Sequence, residues 1–186
     1  MKKNLVIKVL VVFLLISFSW NAFAQDEAFD NYDRIINVGV GFGTYGGPGK
    51  GFSNKVPLIS GSFEYGVADM FSSRGGIGVG GYVAYSLFGY NGLDNQDVTV
   101  GHFIIGPRGL FHYQFIEKLD TYAGVMLGYD VVSFPKTDLN LSGSAFATSY
   151  FIGGRYYLAN TIAIFGEIGY GSALGSPLQL GLCYKF

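Results

Sequence analysis

The chain has 186 residues, of which 49% are hydrophobic, with 29 glycines, 17 phenylalanines, 14 tyrosines and a formal net charge of −1. A near-neutral chain without a basic stripe excludes nucleic acid as a partner, and a single cysteine, Cys183, excludes a disulfide within the chain. Mean hydropathy is positive, yet no apolar run of about 20 residues follows the amino-terminal stretch, which excludes a bundle of membrane helices.

Residues 1–24 read as a cleaved secretory signal peptide. Lys2, Lys3 and Lys8 supply the positive region, Val9 to Phe18 the apolar region, and Ala22-Phe23-Ala24 the small-x-small cleavage pattern. The acidic, turn-like residues 25–32 form a short periplasmic lead-in, left unstructured. Residues 33–186 then make one domain.

That domain opens with an alternation of large apolar and small or polar residues. In Arg34 to Tyr45, Ile36, Val38, Val40 and Phe42 share one face and Asn37, Gly39, Gly41 and Gly43 the other, the period-two pattern of a strand between unlike environments. Seven further segments repeat it: about Val56–Val67, Gly76–Leu87, Val98–Phe115, Asp120–Val132, Ala145–Leu158, Thr161–Tyr170 and Pro177–Phe186. Pro107 falls inside the fourth, removes a ladder donor and predicts a bulge or bend. The polar segments Gly46–Lys55, Phe88–Asp97 and Ser133–Ser144 read as long loops, and the remaining links are short.

The charged residues Glu64, Arg108, Arg155 and Glu167 all lie on the face opposite the aromatics. A soluble barrel would show the reverse, so the apolar face meets lipid. Strands of about 9 to 11 residues cross a bilayer when tilted, and they must close into a ring, because hydrocarbon leaves an open edge unpaired. The fold class is therefore all-β: an eight-stranded antiparallel up-and-down transmembrane β-barrel. The alternation of long and short links places both termini in the periplasm.

The carboxy terminus adds a motif. Gln179-x-Gly181-x-x-Tyr184-x-Phe186 resembles the polar-x-Gly-x-x-aromatic-x-aromatic signal by which the barrel assembly machinery recognises outer-membrane barrels. With Gly153-Gly154-Arg155-Tyr156-Tyr157 and Phe165-Gly166-Glu167-Ile168-Gly169-Tyr170, the chain resembles the small outer-membrane β-barrel domains common in Bacteroidetes, related in architecture to the OmpA transmembrane domain and OmpX. The resemblance implies a bacterial outer-membrane location, contact with outer-membrane lipid and lipopolysaccharide, and delivery through the assembly machinery. It identifies no ligand.

An eight-stranded barrel is just wide enough for its own side chains to fill. The inward charges, Glu64, Asp130 and Glu167 against Arg108, Arg155 and Lys185, are balanced, and charges away from water must pair. They predict a lumenal ion-pair network with Arg108 and Glu167 at its centre. His102 and His112 lack the nucleophile spacing of outer-membrane lipid A hydrolases and read as ordinary lumen residues. Gly41-x-Gly43-x-x-Gly46 lacks the following helix that a dinucleotide fingerprint needs, Cys183 reads as a packed small side chain, and no residues have metal-site spacing. The expectation is a non-enzymatic barrel without cofactor or metal, its role structural. The alternatives are adhesion or ligand binding through the extracellular loops, or a narrow ion channel.

Overall fold

The computed structural model describes residues 28–43, 52–70, 74–91, 97–134 and 143–186. Eight strands follow in chain order: β1 (Arg34–Phe42), β2 (Phe52–Met70), β3 (Gly75–Asn91), β4 (Asp97–Ile116), β5 (Leu119–Ser133), β6 (Gly143–Tyr157), β7 (Ile162–Gly171) and β8 (Leu178–Lys185). Each pairs antiparallel with its sequence neighbours, and β1 pairs with β8. The sheet is a closed barrel with no edge strand. The signal-peptide reading, residues 25–27 of the lead-in and most of the three long loops lie outside the described residues.

The period-two pattern dictates which side of the wall each residue takes. In β1, Ile35, Asn37, Gly39 and Gly41 are buried, while Ile36, Val38, Val40 and Phe42 are exposed. The other strands behave likewise, so the outer wall is a belt of Val, Ile, Leu, Phe and Tyr, and the buried set includes Glu64, Arg108, His112, Asp120, Arg155 and Glu167. Aromatic side chains mark the ends of that belt, with Tyr65, Tyr113, Tyr156, Tyr184 and Phe186 toward the end that holds the termini and Tyr85, Phe103, Tyr129 and Phe146 toward the other. This is the girdle arrangement of a membrane barrel.

Four features depart from the sequence expectation. The strands are unequal: β2, β3 and β4 have 19, 17 and 20 residues against 9 in β1 and 8 in β8. Residues 52–55 and 88–91 and Asp97, expected in loops, therefore belong to ladders that continue past the lipid belt. A hairpin ladder can extend beyond the barrel ring without breaking, because its two strands satisfy each other's backbone groups. Register shifts between Asn54 and Val56 and between Val56 and Ile59 bend this extension.

Pro107 makes no bulge. The β3–β4 register runs through Gly81↔Pro107 unshifted, and β4–β5 pairing resumes in the same register after skipping Gly106 and Pro107. Two pairings are absent on one side, at Gly106 and Pro107, and the register is kept.

Residues 28–33 are not a loose lead-in. They fold back into the barrel mouth, where Ala28 and Phe29 are buried. Gln114 clasps them, accepting from Ala28 N–H at 3.0 Å and donating to the Phe29 carbonyl at 2.6 Å. The wall is shaped to receive them: a Cβ on Gly76 would lie 2.8 Å from the Phe29 ring, and one on Gly66 would collide with the Asp30 carbonyl oxygen. Tyr32 has φ of +72°, the left-handed region that costs a non-glycine residue roughly 1–2 kcal/mol.

At the opposite end the link between β7 and β8 also turns inward. Ser172–Leu174 forms one turn of 3-10 helix that ends on Gly175, whose φ is +69°, and Ala173 and Leu174 are buried in the lumen. Leu174 N–H donates to Ser149 Oγ at 2.9 Å, and its carbonyl accepts from Tyr82 Oη at 3.1 Å and from Gln179 Nε2 at 3.3 Å. The barrel core is thus built of two apolar groups. Leu58, Tyr82, Ile104, Leu110, Met126, Phe151 and Leu174 pack toward the loop end, and Phe29, Ile35, Tyr157, Ala163, Phe165 and Cys183 toward the termini.

Candidate functional site

The charged residues of the lumen are the candidate site, and strand register brings them together. Arg155 on β6 is fully buried. Its guanidinium donates to Glu64 on β2, to Asp120 on β5 at 2.8 Å and to Asn37 Oδ1 on β1 at 3.3 Å. One side chain therefore braces four strands. Two carboxylates and an amide oxygen match the planar donors of guanidinium. The Arg155 plane also lies 4.6 Å from the Tyr122 ring centroid.

His112 on β4 completes this group. Its Nδ1 lies 2.8 Å from Asp120 Oδ1 and its Nε2 2.5 Å from Glu64 Oε1. Nδ1 is hydrogen-bonded to Asp120 and Nε2 lies at ion-pair distance from Glu64, so a ring protonated on both nitrogens is attracted to both carboxylates. In that form, three positive groups (Arg108, His112, Arg155) balance three negative ones (Glu64, Asp120, Glu167). Phe29 covers one face of the ring, with centroids 3.7 Å apart and planes 7° from parallel.

Arg108 on β4 and Glu167 on β7 make a second pair at 2.6 Å, both side chains 3% exposed. Tyr122 Oη donates to the same Glu167 oxygen at 3.2 Å, and the Arg108 guanidinium sits 4.1 Å from the Phe151 ring centroid. These contacts suit a guanidinium, which stacks on aromatic faces while donating in its plane.

The six charges expected to form one network divide into groups. Glu64 with Arg155, and Arg108 with Glu167, occupy the interior. Asp130 does not reach them, because it lies near the loop end of β5 and faces His102 Nδ1 at 2.9 Å. Lys185, at the terminal end of β8, instead meets Asp33 at 3.3 Å. The expected centre also moves, since Arg155 has more partners than Arg108. Sequence reasoning missed Asp120, although its parity on β5 places it inward. Phe29, Gln114 and Leu174 left no periodic signal.

The motif residues of the carboxy-terminal strand have structural surroundings of their own. Gln179 is buried and accepts from Ser60 Oγ at 2.7 Å and from Tyr82 Oη at 3.2 Å. A Cβ on Gly181 would lie 2.6 Å from the Phe165 ring. Tyr184 and Phe186 point outward with rings stacked 6.0 Å apart. Cys183 is buried on the inner face. Among the described residues, no group of three or more His, Cys, Asp or Glu side chains is arranged to hold a metal ion.

Solved structures share this architecture. OprG, an outer membrane protein of Pseudomonas aeruginosa, superposes with TM-score 0.53 at 14% identity, over 86% of this chain and 98% of that one. Ail, the attachment invasion locus protein of Yersinia pestis, gives 0.50 at 14% identity, over 84% of this chain and all of that one (100%). The fold is that of a small outer-membrane β-barrel. No family model and no curated protein matches the sequence. At these identities the likeness concerns the fold, and the lumen of this barrel is read from its own residues.

Proposed function

We propose that the protein is an integral, non-enzymatic barrel of a bacterial outer membrane with both termini in the periplasm, whose lumen is closed by its own ion pairs and inserted segments. Its role is structural, and its outer loops and the ladder extension of β2–β4 are the surface open to partners. The observation that carries this reading is the inverted wall, in which apolar side chains face outward around the ring while Arg155, Glu64, Asp120 and His112 are buried inside. Hydrocarbon accepts that exterior, and water would not. A filled interior favours a closed barrel over a channel.

Two measurements test the reading. The protein refolded in detergent should run faster on gels when unheated than after boiling, and reconstituted in planar bilayers it should show no stepwise conductance. A soluble, heat-insensitive protein would overturn the membrane assignment. Reproducible unitary currents from the wild type would replace the closed barrel with a channel.

A further inference from the structure

The segment at residues 28–33 differs in kind from the rest of the barrel filling. The wall side chains are fixed by the ladder, and the β7–β8 turn is held by a strand at each end. Among the described residues, this segment is continuous with the barrel through Asp33 into β1. We infer that it is a hinged stopper of the terminal mouth, seated in a preformed socket and able to leave it while the barrel stays closed.

Three observations carry the inference. The socket belongs to the wall and not to the segment: Gly66 and Gly76 leave the space, Gln114 supplies both an acceptor and a donor to the segment's backbone, and His112 presents a flat ring to Phe29. The joint is a strained turn, with Tyr32 at φ +72° between Asp30 and Asp33, closed by Asp33 Oδ2 accepting from Asp30 N–H at 2.8 Å. Beyond the joint, the polar contacts are few and replaceable by water: the Gln114 clasp, Tyr32 N–H to the Gly66 carbonyl at 3.0 Å, and Asn31 N–H to Asp69 Oδ1 at 2.9 Å. None of the barrel's strand-to-strand ladders passes through residues 28–33, so the ring can stay intact when they leave. Local opening of this kind is expected where few contacts tie a segment to a cooperative sheet.

The native chain holds its own reporter. Cys183 is buried in the group of residues that includes Ala28 and Phe29, so departure of the stopper uncovers part of the group that shields it, and its alkylation reports that departure. The test is alkylation of the folded, detergent-refolded protein by a charged maleimide, followed by mass spectrometry across urea concentrations below the unfolding transition. Wild type should label slowly, at a rate nearly independent of urea. Phe29→Ala and Gln114→Ala should label at least tenfold faster while keeping the heat-modifiable gel shift. Labelling that rises steeply with urea over this range, with the same urea dependence as global unfolding, would mean that only global unfolding exposes the thiol. Wild-type rates in both variants would mean that the segment does not guard the mouth. Either result overturns the inference.

Discussion

Arg108 on β4 and Glu167 on β7 lie 2.6 Å apart across the lumen, on strands that share no ladder. The pair is buried from water and from lipid, so its value depends on both members. Removing one partner of a buried pair leaves an uncompensated charge and costs about 3–5 kcal/mol, whereas replacing both with apolar groups of similar volume is often neutral. Arg108→Ala should therefore lower the temperature at which the heat-modifiable shift is lost. Arg108→Met combined with Glu167→Met should lose less than Arg108→Ala alone, and a double variant that loses more would show that Tyr122 and Phe151 need the charges in place.

Gly80 and Gly81 are adjacent in β3 and face opposite sides of the wall. A Cβ on Gly80 would collide with the Phe63 carbonyl oxygen, while one on Gly81 meets no atom within 4 Å. Gly80→Ala should prevent or strongly impair refolding. Gly81→Ala should be neutral or stabilise by up to about 1 kcal/mol, since a strand glycine costs conformational entropy. The yield of folded species on unheated gels separates the two. Equal behaviour would mean that the wall shifts to accommodate the inner methyl.

The wall was legible in the sequence and the filling largely was not. Alternation has a physical cause that repeats in every strand, so Ile36, Val38 and Val40 declare their face without tertiary information. The parity of Glu64, Arg108, Arg155 and Glu167 followed from the same rule. Pairing followed only in part: Arg108 and Glu167 meet as expected, but depth depends on strand tilt and stagger, and Asp130 and Lys185 share the inward face yet sit at opposite ends of the barrel. Asp120 opens the expected fifth strand, and its inward parity was not carried as far as that first residue. Segments that fill by folding inward, with Phe29 and Leu174 as their anchors, are short and aperiodic. Their signal in the sequence is indirect, in the glycines of the opposing wall: Gly66 and Gly76 for one, Gly169 for the other.

Leu174 offers a test of the loop-end filling. It is 1% exposed and packs among Leu58, Ile104, Met126 and Phe151, so Leu174→Ala should cost about 2–5 kcal/mol through lost burial and a cavity. Tyr82→Phe removes the hydroxyl that donates to the Leu174 carbonyl and should cost about 0.5–1.5 kcal/mol. Urea midpoints of detergent-refolded protein measure both. A Leu174→Ala midpoint equal to that of the wild type would show that the turn is not part of the cooperative core.

Asp33 lies before β1, outside the membrane-spanning strands. Burial pushes its carboxyl above the usual carboxylate range, with Lys185 and the Asp30 N–H opposing the shift. A folded-state value above the unfolded one means that the folded protein binds more protons, so this group's contribution to stability is fully present below the ordinary carboxylate range and is lost as pH rises through its folded value. Asp33→Asn keeps an acceptor for Asp30 and fixes the uncharged form. Its thermal midpoint should exceed that of the wild type at neutral pH, and the difference should shrink as pH falls toward about 4. A wild type that is the more stable at neutral pH would mean that the Lys185 pair outweighs burial.

Phe186 separates folding from delivery. In the barrel its N–H donates to the Arg34 carbonyl at 3.0 Å, and its ring is half exposed beside Tyr184. Deleting it removes one backbone hydrogen bond, worth about 1 kcal/mol net, and one lipid-facing ring at the end of the belt. Refolding into detergent should therefore proceed to nearly the wild-type yield. The same residue closes the Gln179-x-Gly181-x-x-Tyr184-x-Phe186 pattern, and a machinery that reads a terminal aromatic would lose its handle. In cells, the deletion should leave most of the protein outside the outer-membrane fraction, with accumulation in the periplasm. Fractionation and the in vitro refolding yield, measured on the same variant, decide the matter. Equal impairment in both would reduce the terminal strand to its structural role, and normal membrane insertion would show that Phe186 carries no address.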